Sequence, residues 1–160
     1  MENDTIFAPA TPSGGAIAVI RISGPKAHGV LGRVFSRRTE DIRHGMLYHG
    51  DLLRDGQLVD DVMAVMFFEP RSFTGEHMAE IHCHGGAVSL AAVMAAIQAS
   101  GARLAEPGEF TKRAFLNGKM DLSAAGAVME LIGAQSAAGA RAARVHRRRL
   151  RGPARRPHLV

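Results

Sequence analysis

The dipeptide Asp55-Gly56 stands between two apolar, strand-like runs, Met46–Leu53 and Leu58–Phe68. A two-residue hairpin turn needs positive φ at both central positions, which Asp tolerates and Gly adopts freely. The pair therefore predicts two antiparallel strands joined directly. A mid-chain hairpin among mixed helices and strands, without a regular βαβ period, argues for an α+β fold rather than a doubly wound parallel sheet.

The rest of the chain supports that class. Ala16–Ser23 is rich in β-branched residues and closes at Gly24-Pro25, which predicts a strand and a turn. Pro25–Phe35 follows as a helix, with Ala27, Val30, Leu31, Val34 and Phe35 on one face. Met78–Cys83 predicts another strand, whose period of two puts Glu80 and His82 on one face and Ile81 and Cys83 on the other. Gly85-Gly86 breaks the chain before a helix over Val88–Ser100, with Leu90, Val93, Met94 and Ile97 at core spacing and Gly101 as its stop. Ala102–Ala105 suits one more strand. Glu109–Leu116 suits a short helix ended by Asn117-Gly118. A last helix is expected from near Ser123, read as its N-cap, with Ala124, Val128, Leu131 and Ile132 as its apolar face.

Charge is unevenly spread. Residues 141–160 hold eight of the twenty Lys and Arg and no acid, while the other twelve stand against all fifteen Asp and Glu. The body is thus mildly acidic, and the net charge of +5 belongs to the end of the sequence. Pro153 and Pro157 block a continuing helix there, and disorder is expected from about residue 141. The single cysteine, Cys83, allows no intramolecular disulfide and suits a reducing, cytoplasmic setting. The acidic start is not a signal peptide, and no apolar run approaches the roughly 20 residues needed to span a bilayer, so no membrane partner is expected.

Several chemistries find no support. No Gly-x-x-x-x-Gly-Lys-[Ser/Thr] occurs, because Gly118-Lys119 is followed by Met120 and lacks the upstream glycine. No GTP site is therefore expected in these residues. His82 and His84 share a strand face, but no third ligand lies at a recognisable spacing, so no metal site is expected. Cys83 shares its face with Ile81 and reads as a small core thiol rather than a nucleophile.

Four stretches carry a resemblance. They are Asp4-Thr5-Ile6 with Ala10-Thr11-Pro12, then AVIRISG at Ala18–Gly24, SFTGEHMAEIHCHGG at Ser72–Gly86 and EPGEFTKRAFLNGKMDL at Glu106–Leu122. In order and spacing they resemble the N-terminal domain of the bacterial and organellar tRNA modification GTPases of the MnmE (TrmE) family, from Asp4 to about Ala140. The resemblance implies a mixed sheet with packed helices, similar to the folate-binding fold of the glycine-cleavage T-protein. It also implies a tetrahydrofolate derivative as cofactor, 5-formyl or 5,10-methylene, and a homodimer. In the family a helical domain follows, with a Ras-like GTPase domain inserted in it and a cysteine motif at its end. With an FAD-dependent partner protein, the family modifies carbon 5 of the wobble uridine of certain tRNAs.

Carried over by position, the resemblance implies folate binding by Arg21 of the R-I-S-G strand, Glu80 before H-C-H-G-G and Lys119 after F-L-N-G. A carboxylate suits the adjacent N–H donors of a reduced pterin, and Arg and Lys suit the carbonyls and anionic tail of folate. On residue chemistry alone Arg21 and Glu80 could simply pair with each other, and Lys119 could be a solvated loop lysine. His82 and Phe110 are candidate pocket residues; Phe73, Phe110 and Phe115 suit a pterin wall or the core equally well in kind, and core packing is the commoner role.

The expected organisation is a folate-binding and dimerisation domain over 1–118, the start of a helical domain over 119–140, and a basic tail over 141–160. Two departures from the family stand out. The loop Thr11–Ala16 is one residue short, and after Gln135 the family's long amphipathic helix gives way to Arg, Pro and His. The latter reads as a truncation or frameshift before the GTPase domain, with a basic arm gripping tRNA phosphates as the alternative. A stand-alone folate-dependent one-carbon transferase, with His82 as its acid or base, and a non-functional remnant are the competing functions.

Overall fold

The computed structural model describes residues 4–150. They form an α+β fold with one mixed six-stranded sheet and four α-helices. The strands are β1 (Ile6–Pro9), β2 (Ile17–Ser23), β3 (Leu47–Arg54), β4 (Gln57–Phe67), β5 (Met78–His84) and β6 (Arg103–Leu104). Their order across the sheet is β3-β4-β5-β2-β1-β6, and every neighbouring pair is antiparallel except β1 with β6. The helices are α1 (Ala27–Val34), α2 (Ala87–Ala99), α3 (Glu109–Leu116) and α4 (Leu122–Leu150).

The hairpin forms as its turn dictates. Asp55 has φ 52° and Gly56 φ 75°, and β3 pairs with β4 on either side of them. Strand β1 went unread in the sequence, because four residues ending at Pro9 give no alternation to recognise.

One face of the sheet carries the core. Ala18, Ile20 and Ile22 of β2, Ala64 and Met66 of β4, and Ala79, Ile81 and Cys83 of β5 are buried there. Against them pack Ala27, Val30, Leu31 and Val34 of α1 and Val93, Ala96 and Ile97 of α2. The turn between β5 and α2 needs its glycine: a Cβ on Gly85 would stand 2.0 Å from the Gly15 carbonyl oxygen.

The last helix differs from expectation in three ways. Its N-cap is Asp121, whose Oδ1 accepts the Ala124 N–H at 2.7 Å, and Ser123 lies inside the first turn. Of the expected stripe Val128 and Ile132 are half-buried, whereas Ala124 and Leu131 are exposed and Ala125 is the buried residue. It runs to Leu150, through residues 141–150 that the sequence assigned to a disordered tail. Ala and Arg are strong helix formers, and both interrupting prolines lie beyond Leu150. The remaining tail, 151–160, lies outside the described residues.

Candidate functional site

The alternation of β2 and β5 turns Arg21 and Glu80 away from the core. They face each other across the strand pair in register. Both N–H groups of Arg21 that reach Glu80 go to one oxygen: Nε donates to Oε1 at 3.2 Å and Nη2 donates to Oε1 at 2.9 Å. Glu80 Oε2 accepts no hydrogen bond among the described residues, and lies 3.7 Å from His82 Nε2. That imidazole nitrogen is itself buried without a hydrogen-bond partner. The Arg21 guanidinium also sits 5.2 Å from the centre of the Phe73 ring, within cation–π range.

Two cavities open beside this pair. One, of about 320 Å³, is lined by Met78, Glu80, Lys119, Phe67 and Phe73 with Arg71 and Ser72. The other, of about 560 Å³, reaches from Arg21 and Phe73 past Leu104 and Phe110 to Val128 and Ile132 of α4. Phe73 lines both. The three residues singled out as folate contacts thus border a continuous tract on the open face of the sheet, and Phe110 lies within it. His82 adjoins Glu80 but lines neither cavity. Phe115 lines a separate groove between α3 and α4.

Lys119 reaches the tract because of how α3 ends. Gly118, at φ 70°, donates its N–H to the Phe115 carbonyl, and the Lys119 N–H returns to the Ala114 carbonyl. This crossed pair of bonds is the Schellman arrangement, and it turns the chain sharply back at the glycine. Asn117 Nδ2 then donates to the Thr74 carbonyl at 2.8 Å, and Lys119 Nζ donates to the Pro70 carbonyl at 3.1 Å. Gly75 allows the close approach: a Cβ there would meet Asn117 Cβ at 3.0 Å and Lys119 Cγ at 3.1 Å, at a φ of 79°.

Beneath the tract lies a charged network that the sequence did not disclose. Arg113 of α3 is 3% exposed. Its Nη1 donates to the Asp4 carbonyl at 2.8 Å and to Glu76 at 3.2 Å, and its Nη2 donates to Asp4 Oδ1 at 2.7 Å and Glu109 Oε2 at 3.3 Å. Arg103 grips both oxygens of Glu109, at 2.9 and 2.6 Å, and also binds Asp4. Ser23 extends the network, donating to Glu76 at 2.7 Å beside buried Thr74. The Arg103 hydrogen bonds, with smaller help from Arg113, hold the Glu109 carboxyl down to about 2 against the opposing pull of burial. Five residues from positions 4, 76, 103, 109 and 113 converge here. Four of them lie in three of the quoted motifs, and Arg103 lies in none.

Burial pushes the Cys83 thiol up to about 11, with the Asp60 charge adding to it. It is a core thiol with little thiolate at neutral pH, as the strand alternation implied.

The TrmE N-terminus family (described as GTP-binding protein TrmE N-terminus) matches residues 5–119, most of the chain. The chain belongs to this family. It is similar to the tRNA modification GTPase MnmE of Nitratidesulfovibrio vulgaris, at 52% identity over 146 residues, which is 89% of this chain and 32% of that protein. The MnmE of Listeria welshimeri is 48% identical over 139 residues, 85% of this chain and 30% of its own length. The MnmE of Thermotoga petrophila is 48% identical over 134 residues, 83% and 30%. The chain therefore corresponds to the N-terminal region of MnmE and spans about a third of the length of these relatives. The match includes Arg21, Glu80 and Lys119 and all of the charged network except Asp4.

Proposed function

We propose that this chain is the tetrahydrofolate-binding module of a tRNA-modifying GTPase acting at carbon 5 of wobble uridine. The observation that carries the reading is the half-used carboxylate of Glu80. Arg21 takes Oε1 and holds the group oriented, while Oε2 keeps its accepting capacity beside an open tract walled by Phe73. A reduced pterin offers two adjacent N–H donors and a flat ring, which such a carboxylate and an aromatic wall complement. Lys119, at the rim of the smaller cavity, suits a ring carbonyl or a carboxylate of the glutamyl tail. Cavities of about 320 and 560 Å³ are in the range that small cofactors occupy.

When bound, the folate, in its 5-formyl or 5,10-methylene form, supplies the one-carbon unit. The residues of the chain do the holding: Glu80 reads the ring edge, Arg21 fixes Glu80, and Phe73 and Phe110 exclude water. A fold like that of the glycine-cleavage T-protein, a homodimer, an FAD-dependent partner, tRNA as substrate and a cytoplasmic location belong to the same reading. So does the division into a folate-binding domain over 1–118 and the start of a helical domain from 119.

Calorimetric titration with 5-formyltetrahydrofolate tests it. The parent chain is expected to bind saturably at one site. Glu80→Ala is expected to lose about 2 kcal/mol of affinity, the worth of charge-assisted hydrogen bonds. An unchanged affinity in that variant would remove Glu80 from the site and sink the reading.

A further inference from the structure

A third cleft, of about 470 Å³, lies beside α1 and shares no lining residue with the two cavities of the folate tract. Its position differs as well. The tract lies on the open face of the sheet, whereas α1 packs on the core face. Lys26, His28, Arg33, Phe68, His77 and Ser100 line it, and no carboxylate does. In a body with more acids than bases, four basic side chains around one cleft are a local reversal of charge.

The two permanent cations are not spent on acids. Among the described residues neither Lys26 nor Arg33 forms an ion pair. Arg33 Nη1 donates to the Ser100 carbonyl at 2.7 Å, which anchors the guanidinium at the rim through one N–H and leaves the others. The imidazoles are held as well. His28 and His77 both pack on the Phe68 ring, with centroids 5.8 and 5.9 Å away. His77 Nδ1 accepts the Glu69 N–H at 3.1 Å, so its proton resides on Nε2, where the Glu69 carboxylate stands 3.9 Å off. His28 Nε2 donates to the Thr39 carbonyl at 3.3 Å, which fixes the ring in the wall of the cleft. His44, behind Phe68, is turned to the backbone by accepting the Phe68 N–H.

We infer that this cleft is an anion site for a phosphomonoester, gripped by Lys26 and Arg33 with His77 as a flanking donor and His28 in its wall. A phosphate carries about −1.5 to −2 charge at neutral pH and three acceptor oxygens. That matches two fixed cations plus two imidazoles better than a planar, singly charged carboxylate does. The volume leaves room for the small organic group that bears the phosphate, with the Phe68 ring as its floor.

Titration of the isotope-labelled chain with inorganic phosphate, followed by NMR, tests this. Sodium chloride at matched ionic strength and sodium acetate are the comparisons. Phosphate is expected to give saturable shifts in the His28 and His77 rings and in the amides of residues 26–29, with acetate weaker and chloride without effect. The double variant Lys26→Ala/Arg33→Ala is expected to bind phosphate at least about tenfold more weakly, as loss of two charge-assisted contacts implies. Both side chains are exposed, and Lys26→Gln alone gives a milder check at a few-fold. Binding of 5-formyltetrahydrofolate should be unaltered in all of them, so this site and the folate tract stand or fall separately. Equal shifts with chloride, undiminished phosphate binding by the double variant, or shifts confined to the Arg-rich residues 141–160 would each overturn the inference.

Discussion

Two sets of arginine–carboxylate contacts lie within one domain, and they are built to different ends. In the network around Arg113, Arg113 and Arg103 share Asp4 and Glu109, Arg113 alone also takes Glu76, and the two oxygens of Glu109 are both engaged. On the open face Arg21 spends two N–H groups on a single oxygen of Glu80, and the side chains are 28% and 19% exposed. In the first, the oxygens of all three carboxylates accept hydrogen bonds from arginine or serine, so they stabilise the fold. In the second, one Glu80 oxygen is left with its accepting capacity unused. Neither residue type nor exposure separates the two; the count of used lone pairs does.

The contrast can be broken most forcefully at Arg113. Arg113→Met removes the shared cation, leaving Glu76 with no charged partner among the described residues and Asp4 and Glu109 with Arg103 alone. It is expected to destabilise the chain by about 3–5 kcal/mol, read as a shifted denaturation midpoint in urea. Acid comes next. The Glu109 carboxyl sits at about 2 when folded, below its usual range, so its contribution is present at neutral pH and is lost as pH falls from about 4.5 toward 2. The loss should be on the order of 3 kcal/mol over that window. Glu109→Gln should flatten the pH dependence of stability there; an unchanged slope would show that other groups carry it.

Arg21→Met should behave in the opposite way to Arg113→Met. Its stability cost is expected to stay within about 1 kcal/mol, as for partly exposed pairs. Its folate affinity should nonetheless fall about tenfold, because Glu80 loses its orienting partner. A large stability loss with intact binding would reverse the assignment of the two regions. Lys119→Ala is expected to be the mildest change, a loss of about 1 kcal/mol in folate affinity with no measurable effect on the unfolding midpoint.

Local chemistry was legible in the sequence, and long-range convergence was not. Asp55-Gly56 announced the hairpin, and the alternation of Met78–Cys83 placed Glu80 outward and Cys83 inward, because each rests on neighbouring residues alone. The bounds of α3, Glu109–Leu116, followed from the turns on either side of it. The face of α4 was legible at Val128 and Ile132 but not at Ala124 and Leu131, since its apolar residues outnumber the contacts that short α3 offers. The direct Arg21–Glu80 bond was open as a bland alternative to ligand binding, and the two turn out to be compatible. The charged network was illegible because no spacing rule links positions 4, 76, 103, 109 and 113.

Arg113 touches Asp4 from 109 positions along the chain, and β1 is flanked by β6 on one side. A chain emerging from the ribosome makes its first strand early but cannot complete the contacts of the Asp4 carboxylate until Arg103, and then Arg113 of α3, have left the exit tunnel. The hairpin and the β2–β5 pair can assemble before then, while β1 and the loop carrying Glu76 wait for their cations. Such a closure is non-local and correspondingly slow. For this domain, completion of folding is therefore timed by the synthesis of β6 and α3, and a nascent chain cut short of Arg113 would keep Glu76 open to whatever basic surface lies nearby.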